Sequence, residues 1–139
     1  MHTIRKTLFI ISVLPLLLLA ACTTTPVSPE DVVKNRAQER WDAVLARDWS
    51  SAYELYSPGY RSKATVVDYE IGMRLRKVIW TSATYYGQEC EENVCKVTYN
   101  VGWRVNSPVP GVNVYNGSSY ITDQWIRTDG QWWYFPSES

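Results

Sequence analysis

The chain has 139 residues with 14 basic and 14 acidic side chains, and its formal net charge at pH 7 is zero. A chain of this length is sufficient for one domain with its own hydrophobic core. The balance of charges argues against a strongly basic face of the kind that binds nucleic acid or an anionic lipid surface. We therefore expect a single domain that does not bind nucleic acid.

Residues 1–21 have the pattern of a secretory signal peptide. Arg5 and Lys6 precede an apolar run from Leu8 to Leu19, which is too short to cross a hydrocarbon core as a helix of about 20 residues. The run ends in two small residues followed by Cys22, and this ending resembles the lipobox of bacterial lipoproteins. The resemblance implies cleavage before Cys22 and a diacylglycerol on its thiol. An ordinary signal peptide followed by a chance cysteine is the alternative.

Cleavage at that point would leave a mature chain of residues 22–139. Two or three acyl chains on Cys22 would anchor the protein stably in a membrane, whereas a single chain binds reversibly. An aspartate after the cysteine tends to retain lipoproteins at the inner membrane, and this chain has Thr23 there. By resemblance to that sorting rule we expect an outer-membrane protein facing the periplasm. Residues 22–27 are predicted to be a short polar tether and residues 28–139 a single domain.

The two remaining cysteines, Cys90 and Cys95, enclose four residues. In an oxidising compartment an even pair at this spacing is typical of a structural disulfide. A metal site is the weaker alternative, because the only histidine, His2, lies in the signal peptide and two thiols are half of a tetrahedral zinc shell. A redox pair is also disfavoured, since that motif has two intervening residues. We expect a disulfide, no metal site and no cofactor.

Residues 28–47 have the pattern of an amphipathic helix. Ser28 is a typical N-cap residue, followed by proline and by acidic residues in the first turn. Apolar residues recur at steps of three and four, and the charged residues, including Arg40, are assigned to the opposite side. A shorter helix is predicted to begin after Asp48 and to end at residues 57–59, and a weakly marked third helix covers residues 66–74. The apolar stripe of the first helix consists of Val33, Ala37, Trp41, Val44 and Leu45.

From residue 78 the apolar pattern changes to a period of two. Residues 94–106 alternate apolar and polar side chains, which predicts a long strand with one buried face. Residues 78–89, rich in Thr, Tyr and Trp, are its predicted hairpin partner. If Cys90 faces Cys95 and the pairing continues unbroken, Glu89 faces Lys96, an opposite-charge pair. The same register predicts three facing pairs on the apolar side: Tyr86 with Tyr99, Ser82 with Trp103, and Trp80 with Val105.

The remaining sequence predicts two further strands. Residues 106–111 include two prolines, which cannot donate to a ladder, so the sheet should break there. Strand character resumes around Val114 or Tyr120 and continues to Arg127. Asp129-Gly130 is a hairpin turn signal before a last strand over residues 131–135. Helices followed by antiparallel strands predict an α+β domain in which the N-terminal helices pack on a curved antiparallel sheet.

Several short segments of residues 28–136 resemble the nuclear transport factor 2-like (cystatin-like cone) superfamily. They are Arg47-Asp48-Trp49 at the end of the first helix, Ala52-Tyr53, Tyr56-Ser57-Pro58-Gly59-Tyr60-Arg61, and the closing Asp129-Gly130-Gln131-Trp132-Trp133-Tyr134. The resemblance implies three helices folded over a strongly bent sheet, forming a cone that often has a pocket at its open end. It also implies either an isomerase or dehydratase type of enzyme or a non-catalytic binding domain, since the superfamily contains both.

Few residues of the mature chain could carry catalysis. Without a mature histidine the commonest general base is missing, and no serine, cysteine or lysine lies beside an evident base. Asp123 is the one weak catalytic candidate. In an aromatic pocket its pKa would rise and it could act as a base. Alternatively, Asp123 faces water or pairs with Arg104 or Arg127 on the outer side of the sheet, which we favour.

The chain is rich in aromatic residues, with 7 Trp and 10 Tyr. Adjacent strand residues point in opposite directions, so Trp132 and Trp133 cannot share one face. Either both faces of the sheet are covered, or some of these rings form an exposed contact patch. The candidates for a ligand or partner contact are Tyr86, Tyr99, Trp125, Trp132 and Trp133. We expect a membrane-anchored, non-catalytic envelope module that binds a protein partner or a small apolar ligand, with a small isomerase or dehydratase as the alternative.

Overall fold

The computed structural model describes residues 28–106, 110–111 and 113–136. The predicted signal peptide, Cys22 and the tether therefore lie outside the described residues. The described part contains α1 (Pro29–Ala46), α2 (Trp49–Glu54), α3 (Pro58–Arg61), α4 (Val66–Arg74), β1 (Val78–Cys90), β2 (Val94–Asn106), β3 (Val114–Thr128) and β4 (Gln131–Phe135).

Helix α1 confirms the predicted N-terminal helix. The Ser28 side chain accepts a hydrogen bond from the Asp31 backbone N–H, and Pro29 occupies the first turn, where its missing N–H costs nothing. The helix ends at Ala46, and the C-cap residue Arg47 has a left-handed backbone (φ 59°) and donates its N–H to the Ala43 and Val44 carbonyls. Both ends are thus set by local hydrogen bonds that the sequence encodes.

The short helices after α1 are capped in the same way. Asp48 caps α2 by accepting from the Ser51 backbone N–H. Thr65 and Asp68 form a reciprocal capping box at the start of α4, which satisfies two otherwise unpaired N–H groups. Ser57-Pro58-Gly59 predicts only the end of a helix, but in the structure Ser57 also caps a new helical turn, α3.

The four strands form one curved antiparallel sheet in the order β1-β2-β3-β4. Strand β3 begins at Val114, the earlier of its two predicted starting points. The free edge of β4 pairs with the chain that follows α2: the Tyr134 N–H donates to the Leu55 carbonyl, and the Ser57 N–H donates to the Tyr134 carbonyl. This short pairing covers an edge that would otherwise expose unpaired backbone groups.

The predicted register of the β1–β2 hairpin is right near its tip and wrong further along. Cys90 faces Cys95 and the two form a disulfide, and Glu89 faces Lys96 as predicted. Two bulges in β1 then insert one extra residue each, and each shifts the pairing by one position. The corrected facing pairs are Tyr85 with Tyr99, Ser82 with Gly102, Trp80 with Trp103, and Val78 with Val105.

The bulge nearer the hairpin tip has a clear physical consequence for two adjacent tyrosines. Tyr85 points inward and its ring lies edge-on to Tyr99, with 5.9 Å between centroids. Tyr86 points to the outer face of the sheet, where it is 68% exposed and packs on Tyr120. The bulge therefore decides which of the two rings joins the aromatic core.

The core lies between α1 and the inner face of the sheet. Alternate residues of β2 and β3 point inward, and α1 covers them with its apolar stripe, as the period-two and period-3.6 patterns predicted. The buried residues of this layer are Val33, Ala37, Trp41 and Val44 on α1, Cys95, Val97, Tyr99 and Val101 on β2, and Trp125 on β3.

The corrected register makes a prediction about stability. Replacement of the inward Tyr85 by alanine should lower the free energy of unfolding by about 2 kcal/mol or more, because it removes packing against Tyr99. The matched Tyr86→Ala variant should lose less than about 1 kcal/mol, because its ring is largely in water. Denaturant unfolding of the two variants measures this, and a larger loss for Tyr86→Ala would contradict the observed register.

Candidate functional site

A buried ion pair lies in the middle of the cone. The Arg40 Nη1 atom of α1 donates to the Asp123 Oδ2 atom of β3 at 2.9 Å, and the two side chains are 8% and 3% exposed. Asp123 points inward because it shares the facing of Trp125, two residues further along β3. The pair connects α1 to the third strand through the centre of the molecule.

Aromatic rings enclose this ion pair. The Arg40 guanidinium carbon lies 3.7 Å from the centroid of the Tyr134 ring, 5.1 Å from Trp41 and 5.8 Å from Tyr56. Ring faces carry partial negative charge and attract a desolvated cation. The enclosure therefore supplies part of the stabilisation that water would give to an exposed arginine.

The electrostatics of the pair follow from burial and from this enclosure. Burial disfavours the charge on Arg40, but Asp123, Tyr134 and Tyr56 outweigh this effect and raise the pKa of the guanidinium further. Burial raises the pKa of Asp123, and the nearby Arg40 cation opposes that rise. Burial also raises the pKa of Tyr134 to about 12, although Arg40 acts in the other direction. The Tyr134 ring is thus neutral at physiological pH.

The interpretation of Asp123 that we favoured from the sequence is wrong. The carboxylate neither faces water nor pairs with Arg104 or Arg127, because Asp123 lies on the inner face of the sheet and its partner is Arg40. It does lie among aromatic side chains, as the catalytic alternative required. However, a general base must reach a substrate proton, and this carboxylate is covered and already accepts a hydrogen bond from a cation.

Arg40 is the central residue that the sequence interpretation missed. It was assigned to the polar side of α1 on account of its charge. Its position nevertheless follows Ala37 by three residues and precedes Val44 by four, which is the spacing of the buried stripe. A charged residue at a core position of a helix, together with one acidic residue at an inward position of a strand, was the signal that could have revealed the pair.

The structure separates the five aromatic residues that were predicted as contact candidates. Tyr99, Trp125 and Trp132 belong to the buried core, whereas Tyr86 is exposed and Trp133 is partly buried. Tyr86 lies on the outer face of the sheet. Trp133 lies on β4, with the guanidinium carbons of Arg36 and Arg61 at 5.3 and 5.2 Å from its ring centroid.

A cleft of about 380 Å³ opens between the C-terminal end of α1, α4 and the start of β1. Seven of the ten lining side chains are apolar, and the other three are arginines. Within the described residues only one of these, Arg74, is in a salt bridge, with Glu70. Neither Arg40 nor Asp123 lines it. The lining residues are Val44, Leu45, Arg47, Trp49, Met73, Arg74, Arg76, Val78, Ile79 and Trp80.

Two absences concern only the part of the chain that the structure describes. No group of three or more His, Cys, Asp or Glu side chains there is arranged to hold a metal ion. None of the helices over those same residues is long and apolar enough to cross a membrane.

The buried pair makes a prediction that distinguishes a structural role from an incidental one. Arg40→Met should lower the free energy of unfolding by about 3–5 kcal/mol, because it leaves a buried carboxylate without its cation. The double variant Arg40→Met/Asp123→Val should recover most of this loss, since no buried charge remains. Denaturant unfolding measures both variants. Arg74→Met, which breaks an exposed pair, is the control and should cost less than about 1 kcal/mol.

The loss in Arg40→Met should also depend on pH in a defined direction. Burial raises the pKa of Asp123, and the variant lacks the cation that opposes this rise. In the folded variant Asp123 therefore keeps its proton to a higher pH than it does in the unfolded chain. The destabilisation consequently grows as the pH rises above the pKa that Asp123 has in the unfolded chain. We expect a larger loss at pH 8 than at pH 5. A loss that does not depend on pH would contradict the assignment of a buried carboxylate.

No family model and no curated protein matches the sequence. The matches are found among solved structures. The solution structure of RPA3114, a SEC-C motif containing protein from Rhodopseudomonas palustris, is 16% identical and matches with a TM-score of 0.56 over 81% of this chain and 79% of that chain. A protein of the NTF2-like family from Streptomyces avermitilis is 12% identical and matches with a TM-score of 0.53 over 76% and 90%.

Aln2 from a Streptomyces species is 15% identical and matches with a TM-score of 0.50 over 77% of this chain and 87% of that chain. Identities this low establish similarity of fold and nothing about activity. The helices packed on one curved antiparallel sheet agree with that similarity. The chain has the nuclear transport factor 2-like fold that its sequence predicted.

Proposed function

We propose that this protein is a lipid-anchored bacterial envelope protein whose domain is a non-catalytic binding or scaffold module. Cys22 carries the anchor, residues 22–27 are the tether, and the domain faces the periplasm, attached to the outer membrane. The observation that carries the non-catalytic part of the proposal is the Arg40–Asp123 pair. It occupies the centre of the cone, where an enzyme of this fold would need a reactive group exposed to substrate.

The surroundings of the pair support this proposal. Tyr134, Tyr56 and Trp41 pack around Arg40, so a substrate would have to displace rings that stabilise the fold. Asp123 is the only acidic side chain among the buried residues of the described chain, and its carboxylate is engaged by a permanent cation. These contacts are those of a structural element that fixes α1 on the sheet.

The exterior offers two places for a ligand or partner. The cleft beside Trp49 and Trp80 is lined by apolar side chains and by three arginines, which suits a small apolar ligand with one anionic group. The exposed Tyr86 and Tyr120 pair on the outer sheet face suits a protein contact, since such rings are amphipathic and rigid. Either use leaves the interior of the cone intact.

Two observations favour the alternative, a small proton-transfer enzyme of the isomerase or dehydratase type. Burial raises the pKa of Asp123, as a general base requires. The Tyr99 hydroxyl is buried without a hydrogen-bond partner among the described residues, and such a group could donate to a substrate oxygen. The hydrogen bond from Arg40 to Asp123 weighs against this alternative, because it occupies the base.

Complementation of a deletion strain distinguishes the two functions. The double variant Arg40→Met/Asp123→Val removes the only candidate base but leaves no buried charge. If the domain is a binding module, the stably expressed double variant should restore the wild-type phenotype. Loss of complementation in protein that is folded and anchored normally would instead support catalysis by Asp123.

The anchor makes a separate prediction. Mass spectrometry of the N-terminal peptide of the mature protein should find Cys22 carrying a diacylglyceryl group, and Cys22→Ala should prevent its acylation and its stable membrane attachment. A mature, soluble chain that begins beyond Cys22 would contradict the proposed anchor.

A further inference from the structure

Helix α4 presents an apolar ridge to solvent. Val67, Ile71 and Leu75 are 58%, 51% and 76% exposed, and their spacing of four residues places them along one side of the helix. Tyr69, on the opposite side, is buried against Tyr53 and Tyr56. The ridge is therefore the side of α4 that faces away from the core.

This arrangement reverses the usual pattern of a surface helix, in which the outward side is polar. The helix has no freedom to rotate the ridge inward, because Tyr69 is fixed in the core and the Thr65–Asp68 capping box sets the start of the helix. Adjacent large aliphatic side chains exposed on a well-fixed helix, bordered by polar residues, mark a surface that another molecule covers.

The charges around the ridge identify the chemistry of that molecule. Residues 61–77 contain five basic and two acidic side chains, although the whole chain is neutral. Both acidic residues have local partners: Asp68 is in the capping box and Glu70 is paired with Arg74. Three further cations are exposed near the two ends of α4. The charge balance of the sequence predicted no such basic surface, because the cations are concentrated in one short segment.

The proposed tether keeps the domain as a whole close to a membrane. Six residues, 22–27, separate the acylated cysteine from Ser28 and can span at most about 20 Å, so the N-terminal end of α1 stays within that distance of the bilayer. A domain held this closely meets the bilayer at a high effective concentration. A weak surface contact is then sufficient to orient it.

We propose that the α4 ridge rests on an anionic phospholipid bilayer, an inference that builds on the proposed lipid anchor. Val67, Ile71 and Leu75 enter the boundary between headgroups and acyl chains, and the flanking cations, Lys63, Arg76 and Lys77, contact lipid phosphates. Aliphatic side chains bordered by cations are the features of helices that lie in a membrane interface. The sheet and its outer face then point away from the membrane.

The test uses the mature, acylated protein in vesicles that contain an anionic phospholipid. An environment-sensitive fluorophore is attached at Ile71→Cys on the ridge or, as the matched control, at Thr84→Cys, an exposed position of β1. We expect brominated acyl chains to quench the label at position 71 several-fold more than the label at position 84. Aqueous iodide should instead quench the label at position 84 more than the label at position 71.

Charge variants test the lipid contact directly. Lys77→Glu should reduce the quenching at position 71 by brominated lipid, whereas Arg104→Glu, an exposed charge change on β2, should leave it unchanged. Replacement of the anionic phospholipid by a zwitterionic one should also reduce the quenching of the label at position 71 by brominated lipid.

Two results would overturn the proposal. In the first, both labels are equally open to iodide. In the second, the label at position 71 is shielded from iodide without quenching by brominated lipid, which would indicate a protein partner or a second copy on the ridge. In either case, acylated protein that still floats with the vesicles would leave the anchor at Cys22 supported, so failure of the ridge and failure of the anchor are distinguishable.

Discussion

The ion pair between Arg40 and Asp123 is the constraint on which the arrangement of the helices and the sheet depends. Aliphatic contacts between a helix and a sheet tolerate small shifts, because they have little directionality. A hydrogen bond of 2.9 Å between two buried charges does not tolerate such shifts. Any displacement leaves a charge without its partner in a medium of low polarity. The aromatic rings around Arg40 then have to pack where the guanidinium is held, so the pair links the position of α1 to that of β3.

This use of the interior has a consequence for function. In a fold that often keeps a pocket between helices and sheet, the central space is filled by side chains that stabilise one another. The proposed function therefore places interactions with other molecules on the exterior, at the cleft beside Trp80 or along α4. The two features share the C-terminal end of α4 and its arginines, so a membrane contact along the ridge would place the cleft close to the lipid headgroups.

Much of the fold could be predicted from the sequence because local signals were strong. Ser28, Asp48 and Asp129-Gly130 marked element ends through hydrogen bonding and backbone preference, and the two periodicities identified helix and strand faces. The hairpin register was correct only near Cys90 and Cys95. Bulges depend on how side chains such as Tyr85 pack against the opposite element, which a pattern within one strand does not contain.

The centre of the candidate site was harder to predict for a related reason. Charge alone assigned Arg40 to the surface, and Asp123 was matched with arginines on nearby strands. Their pairing joins residues 83 positions apart in the chain, and only the packing of α1 on the sheet brings them together. The exposed ridge of α4 does not follow from the sequence, because the helix is weakly marked and only the burial of Tyr69 in the core defines which side faces outward.

Hydrogen exchange at the arginine side chains, followed by NMR, tests the filled interior most directly. If Arg40 and Asp123 are enclosed, the guanidinium protons of Arg40 should exchange far more slowly than those of the exposed Arg104, and their exchange should accelerate in step with global unfolding as denaturant is added. Exchange of Arg40 that is fast under native conditions and insensitive to low denaturant would mean that the cone opens to solvent, and would contradict the account of a structural, non-catalytic interior.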